Sequence, residues 1–458
     1  MRLPHVFVIL FALIVLAAVA SWVIPAGQYE RELGPDDRMM VVPDSFAHVE
    51  PQPAGLFDIF EAIPKGLVGA ALVVFAVFII GGAMGVVEET GVIPASVDRI
   101  ARLLQGKETL MIVAIMALFA AICAFIGLLE LSLFYIPVLI PIMVVMGYDT
   151  VTAAATALVS TGAGFAAALT NPFTVAIAQD IAEVELYSGM GYRSIVLVVI
   201  VATGMFYVVR YAKRVKANPE SSIVFEETKD LRERILAQAQ DPPEFSPRLK
   251  AAGTALMILF LLLILGIVIY RWYLIEISAM FVILAIVVGL IAGLNASKIA
   301  ESFVSGLQTF VVASFAAGIA RGITVILEEA VILDTVVNAF AQMVMALPAQ
   351  VSSIGMFITQ TILNFLIPSG SGQTLVSMPI MTPLADIAGI TRQTAILALQ
   401  AGDGFSNILY PTLGFLWACI GMARIPYEKW AKFIIPLILV WSVLAMIFLV
   451  IAQAIGWS

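Results

Sequence analysis

The sequence predicts an all-α polytopic membrane protein built from two inverted repeats, each with a re-entrant helical hairpin and a broken transmembrane helix. Three observations predict it. The 458 residues are 61% hydrophobic and 12% charged, with a mean hydropathy of +1.04, whereas soluble domains carry roughly 25% charged residues. Helix-breaking stretches such as IPSGSGQT (367–374) lie inside apolar segments, where lipid cannot satisfy an interrupted backbone. The chain also repeats itself at a shift of 240 residues.

Taken in order, the first apolar run, 6–23, reads as a transmembrane helix, although Ala18-Val19-Ala20 has the look of a signal-peptide cleavage pattern. Further spans are expected at 67–87, 195–209, 251–270, 275–294, 310–327, 396–420 and 433–455. Each approaches the length that crosses a hydrocarbon core. The apolar stretch 111–179 is longer and interrupted by Gly127, Glu130, Pro137, Pro141, Gly147 and Asn171-Pro172. The amphipathic run VDRIARLL (97–104) is expected to lie along the inner surface. Residues 210–250 open with RYAKRVK, contain DPPEFSPR and read as a connection between halves. The expected organisation is a first helix and external loop (1–65), repeat 1 (66–211), a cytoplasmic linker (212–250), two scaffold helices (251–305) and repeat 2 (306–458).

Charge sets the topology. If 111–146 is a hairpin that enters and leaves on one side, with its tip at GLLELS (127–132), 17 Lys and Arg residues share the side of the N-terminus and linker. Six lie opposite, and Arg321 falls within a span. One or three crossings there would spoil this bias, so the N-terminus is placed on the cytoplasmic side of the plasma membrane.

The repeat pairs Gly66-Leu67 with Gly306-Leu307, Gly82 with Gly322, and Glu88-Glu89 with Glu328-Glu329. It also pairs Phe125 with Phe365, and Gly162-Ala163-Gly164-Phe165 with Gly402-Asp403-Gly404-Phe405. One unit starts outside and the other inside, so the repeats are inverted. Inverted repeats with matching helix breaks point to a secondary transporter whose site lies near the midplane.

Four polar elements converge under this topology. The first hairpin tip supplies Gly127, Glu130 and Ser132; the first broken helix supplies Thr170, Asn171, Pro172 and Thr174. The second tip supplies Ser369, Gly370, Ser371, Gly372, Gln373 and Thr374, and the second broken helix supplies Asp403, Ser406, Asn407, Pro411 and Thr412. Half-helix N-termini suit a substrate carboxylate. Exposed carbonyls with Ser, Thr and Asn oxygens suit Na⁺. Glu130, Ser132, Asn171, Thr174, Gln373, Asp403 and Thr412 are the candidate Na⁺ ligands, and no other cofactor is expected. A charge at the centre of a membrane helix costs roughly 2.5–3.5 kcal/mol, so Glu130 and Asp403 require a proton, a metal cation or a cationic substrate group.

Blander readings compete. SGSGQT is alternatively a plain external turn, and no Lys-Ser/Thr pair follows it to make a P-loop. The glutamate pairs fall at span ends and suit the interface, and Arg321 suits either an ion pair or substrate contact. Cys123 and Cys419, each alone in an apolar run, read as small core residues. His5 and His48 lie outside the apolar segments, which argues against a histidine metal site or catalytic triad. A channel would need a continuous polar path, an intramembrane enzyme a nucleophile and base, and a pump an ATPase domain. No nucleic-acid partner is expected.

The stretches ALTNPFTVAIAQ, LIPSGSGQT, GDGFSNILYPTLG and IPYEKW make the chain resemble the YfcC group of the anaerobic C4-dicarboxylate carrier (DcuC-like) family, in the ion transporter superfamily. The resemblance spans nearly the whole length. It implies inverted repeats, two hairpins, two unwound helices, a dimeric scaffold, and elevator transport coupled to Na⁺ or H⁺. By position it implies a site at Thr170, Asn171, Ser369, Ser371, Thr374, Asp403, Ser406 and Asn407. Dicarboxylate-carrying relatives have Ser-Asn-Thr at both tips; GLLELS and SGSGQT depart from that. The substrate is then a C4-dicarboxylate or an amino acid, the latter including a basic one exchanged in the manner of arginine and ornithine.

Overall fold

A computed structural model describes residues 6–33, 39–92, 106–240, 246–270 and 272–457. The chain is helical almost throughout, and among the described residues six helices are long and apolar enough to cross a membrane. The surface run expected at 97–104 lies outside the described residues, as does His5.

The apolar run at the start forms α1 (Val6–Val23), with Leu10 and Ile14 fully buried. The next span differs from the expectation of one helix over 67–87. Two helices meet at Ala70, α2 (Leu56–Gly69) and α3 (Ala71–Glu89). In α2, Asp58, Glu61 and Lys65 recur at helical spacing opposite an apolar stripe, so it is amphipathic. An apolar window averages across that pattern and hides the join. The same design recurs 240 residues later as α12 (Ala296–Thr309) and α13 (Val311–Glu329), joined at Phe310.

Between them run α4 (Glu108–Ile126), α5 (Ser132–Val145), α6 (Thr150–Ala166), the short α7 (Ile177–Ile181) and α8 (Met190–Ala217). The segment 210–250 is more than a connection: it contains α9 (Lys229–Gln240). Leu231 is buried, and Arg424 and Arg234 reach Asp230 (2.6 Å) and Glu88 (3.4 Å). Then come α10 (Pro247–Tyr270), α11 (Leu274–Ala292), and, after α13, α14 (Leu333–Met345), α15 (Ala349–Leu366) and α16 (Gly370–Ile387). The chain closes with α17 (Arg392–Ser406), α18 (Gly414–Met422) and α19 (Tyr427–Ala454).

Two packing groups result. Helices α1–α3 and α10–α13 pack mainly on one another, and α4–α8 pack with α15–α17 and α19. The first group closes on glycines. A Cβ on Gly66 would stand 2.5 Å from Gly318 O, and one on Gly306 would stand 2.3 Å from Gly81 O. Only bare backbones approach so closely. Helix α18 lies between the groups, where a Cβ on Gly414 would come within 2.7 Å of Ala317 O.

Two short antiparallel ribbons, Gly27–Gln28 with Ala47–His48 and Arg31–Leu33 with Met39–Val41, follow α1. Asp334 on α14 ties them down by accepting from Tyr29 N and Arg31, each at 3.0 Å. Burial, reinforced by the Asp334 charge, pushes the Tyr29 phenol up to about 12.

Candidate functional site

Both predicted helix breaks are present in the backbone. Helix α6 stops at Ala166, and helical structure resumes with a π-turn over Pro172–Ala176. Pro172 lacks the N–H that a continuing helix would use, and Asn171 caps the restart by accepting from Phe173 N at 2.9 Å. Helix α17 stops at Ser406 and the chain resumes as α18 at Gly414.

The tips are tighter than their composition suggests. Gly127 ends α4 in the left-handed region (φ 73°), and a 3₁₀ turn over Leu129–Leu131 leads into α5 at Ser132. At the second tip only 367–369 is non-helical. The expectation of an irregular SGSGQT is corrected: Ser369 accepts from Gly372 N at 3.3 Å, and Gly370, Ser371, Gly372, Gln373 and Thr374 form the first turn of α16. An N-capping serine outweighs the two glycines that follow it.

These elements meet at two contacts. Gly127 abuts Asn171, whose Oδ1 would be 2.0 Å from a Cβ at 127. Gly370 abuts both breaks at once: its Cβ would lie 2.9 Å from Thr174 Cγ2 and 3.0 Å from Asp403 Oδ2. Thr170 donates to Phe125 O at 3.2 Å, and Ser132 and Thr161 share a hydroxyl bond at 2.7 Å. Asn407 donates to Asp403 Oδ1 at 3.4 Å, and Ser406 to Gly402 O at 3.0 Å. Thr374 turns back to Gly370 O at 2.7 Å. Ser371 is half-buried beside the exposed cap Ser369.

Other predicted residues stand apart. Gln373 points away from this meeting point and donates to Gln360 O at 2.8 Å on α15. Glu130 is half-buried, within electrostatic reach of Cys123 on α4 and Cys419 on α18, and forms no ion pair among the described residues. Both cysteines are buried and free. Arg321 pairs with Glu328 at 3.2 Å. Glu88, Glu89 and Glu329 pair with Arg234, Lys298 and Lys65 on exposed surface.

Three buried polar residues escaped the sequence reading. Asn364 on α15 donates to Asp403 O (2.9 Å), Ser406 Oγ (2.7 Å) and Asn407 Oδ1 (2.8 Å), so it caps the second break. Gln400 on α17 caps the first, donating to Phe165 O (3.3 Å) and Ala168 O (3.1 Å). Its own oxygen accepts from Arg193, which is 1% exposed and also bonds Gln393 at 3.1 Å. A guanidinium behind a helix C-terminus offsets the negative end of its dipole. The available signal was polarity out of place: TILNFL and LALQAGDG each hold one amide among apolar neighbours.

What remains is a set of unspent buried atoms. Asp403 Oδ2, Thr174 Oγ1, Asn171 Nδ2 and Thr412 Oγ1 have no hydrogen-bond partner. Buried polar atoms in proteins are normally paired, and an unpaired carboxylate oxygen is the most costly of these to leave. Asp403 Oδ2, beside Gly370, suits a hard cation or an ammonium group. Among the described residues no three His, Cys, Asp or Glu side chains cluster as transition-metal ligands. A cavity of about 700 Å³ opens between α3, α12 and α5, lined by Pro137, Pro141, Glu88, Lys298, Arg234 and Arg424.

The family model for the C4-dicarboxylate anaerobic carrier, DcuC, matches residues 3–454. A protein of Escherichia coli (strain K12), named "Putative basic amino acid antiporter YfcC", is 32% identical over 99% of this chain and 97% of its own. An uncharacterized protein of Haemophilus influenzae is 29% identical over 95% of this chain and 94% of its own. The solved structure of MtrF from Neisseria gonorrhoeae aligns at 19% identity and a TM-score of 0.41, over 98% of this chain and 95% of that one. With the family match running almost from end to end, the chain belongs to the DcuC family of membrane transporters, alongside its YfcC relatives.

Proposed function

We propose that this chain is a secondary active transporter that exchanges or co-transports a small carboxylate-bearing metabolite, with an amino acid carrying an extra cationic group as the substrate the site suits best. The observation that carries this reading is Asp403: fully buried, with Oδ2 unpartnered and facing the second hairpin tip. A buried carboxylate oxygen in this position needs a cation, and a basic side chain supplies one. The first N–H groups of α16, from Gly370 and Ser371, have no acceptor inside the helix and suit the substrate carboxylate. The name borne by the Escherichia coli relative agrees with a basic amino acid. A second reading keeps a C4-dicarboxylate, as in the family description, with Na⁺ or a proton at Asp403 and Thr174.

In this reading 66–211 and 306–458 are inverted repeats, 251–305 adds scaffold helices, and the two tips belong to re-entrant hairpins. The glycine contacts support it. Gly66 pairs in sequence with Gly306 and Gly82 with Gly322; in space Gly66 lies on Gly322, and Gly306 on Gly82. Such crossed contacts are what a two-fold relation between repeats produces. The bundle holding both tips then moves past the α1–α3 and α10–α13 frame as an elevator, with the N-terminus and linker in the cytoplasm of a bacterium. A second copy joins it through the frame.

The test is uptake of radiolabelled arginine and succinate into proteoliposomes, with and without a Na⁺ gradient, by wild type and Asp403→Asn. Arginine uptake lost in the variant supports the amino-acid reading, and Na⁺-driven succinate uptake replaces it with the dicarboxylate one. No flux of either solute overturns the substrate class.

A further inference from the structure

A second cavity, about 780 Å³, lies far along the chain from the tips, where the end of α8, the start of α19 and the linker meet. Four cations line it: Arg210, Arg214, Lys429 and Lys432. Lys429 is spoken for, paired with Glu227 and donating to Ile223 O at 2.7 Å. Arg214 lies 5.2 Å over the Tyr211 ring, and Arg210 and Lys432 are exposed. Among the described residues none of these three forms an ion pair. Glu428 stands four residues before Lys432 on α19, and Asp149, behind Tyr211, is buried and already accepts from Tyr211, Ser222 and Thr152. The floor is aromatic, with Phe433 packed between Tyr207 (5.3 Å) and Tyr211 (4.9 Å).

We infer that this cavity is a binding site for the headgroup of an anionic phospholipid. Helical spacing distinguishes a lipid from a soluble anion. Arg210 stands four residues after Phe206, and Lys432 stands three before Ile435 and seven before Leu439. Arg210 and Lys432 are therefore each on the same helical stripe as an exposed apolar residue. Phe206, Ile435 and Leu439 are 68%, 41% and 61% exposed. Phosphate on the basic rim and acyl chain down these two stripes is the arrangement that basic pockets between membrane helices offer an acidic headgroup. Tyrosines at that depth fit the polar–apolar boundary of the bilayer.

The test uses the full chain in a neutral detergent, titrated with short-chain phosphatidylglycerol, short-chain phosphatidylcholine and inorganic phosphate, followed by native mass spectrometry. Phosphatidylglycerol is expected to bind in preference to phosphatidylcholine. A basic residue near a membrane surface contributes about 1 kcal/mol, roughly fivefold in affinity, so Arg210→Gln with Lys432→Gln should weaken binding about 25-fold. Lys213→Gln, an exposed cation on the same turn of α8 outside the cavity, should change it less than twofold. Equal binding of phosphatidylcholine, or an unchanged affinity in the double variant, overturns the site. Competition by inorganic phosphate at the same concentration as the lipid also overturns it, because the acyl stripes would then contribute nothing. Should the double variant fold poorly, the wild-type affinity still decides, since it must fall steeply as salt is raised.

Discussion

Replacing Gly306 with alanine tests how the frame is held together. The added Cβ would lie 2.3 Å from Gly81 O and 3.0 Å from Gly82 Cα, both backbone atoms that no rotamer change can move. Relief to even 3.0 Å requires α3 and α12 to separate by about 0.7 Å. A gap of that size forfeits a quarter to a half of each dispersion contact along the seam, and overpacking of this kind costs about 3 kcal/mol at its upper end. Better helix propensity returns about 1 kcal/mol. The expected net loss is about 2 kcal/mol, or roughly 4 °C at the 2 °C per kcal/mol of large domains. Thermal unfolding of the purified protein measures it. Gly66→Ala should behave alike, being 2.5 Å from Gly318 O, whereas Gly191→Ala, with nothing near its Cβ, should be neutral or slightly stabilising. A Gly306→Ala protein as stable as wild type would refute the close-packed seam.

Further outcomes follow from the site and the linker. Asn364→Ala removes the donor serving three acceptors at the second break; stability should fall by about 2–3 kcal/mol, with substrate uptake lost even below the unfolding temperature. Gly370→Ala places a methyl 3.0 Å from Asp403 Oδ2, so uptake should fall by about tenfold or more while the melting temperature stays within a few degrees. In the linker, the hydrogen bond from Arg424 holds the Asp230 carboxyl below its ordinary range. Its folded pKa is depressed, so the tie is complete above the usual aspartate value, about 3.9, and is lost as pH falls through the lowered one. The protection of α9 amides against hydrogen exchange, with the intrinsic pH dependence of exchange divided out, should be steady from neutrality to about pH 4 and fall below it, and Asp230→Asn should abolish that step.

The long apolar helices and both breaks were readable because composition and proline placement act locally. The helix starts at Leu56 and Ala296 were not, since amphipathic helices lie below any apolar threshold. The site was half-legible: Thr174, Gly370 and Asp403 come together as their breaks demand. The orientation of Gln373 toward Gln360 depends on which side of α16 faces α15, and a one-residue rotation would reverse it. Asn364, Gln400 and Arg193 act across elements far apart in sequence. Their roles follow from tertiary contact, and sequence marks them only as polar residues in apolar company.

The contact of α18 with α13 has a mechanical consequence. Gly414 meets the Ala317 backbone there, within the small-residue run Ala316-Ala317-Gly318 of α13. Surfaces of small side chains are weakly corrugated, so one body displaced along the other has few knobs to lift from holes. On the elevator reading, the exposed ion pairs by which α9 holds Glu88 of one body and Arg424 of the other add a tether at that edge. Tethers of that kind soften with ionic strength, which would make the stiffness of this joint a property of the surrounding solution as much as of the fold.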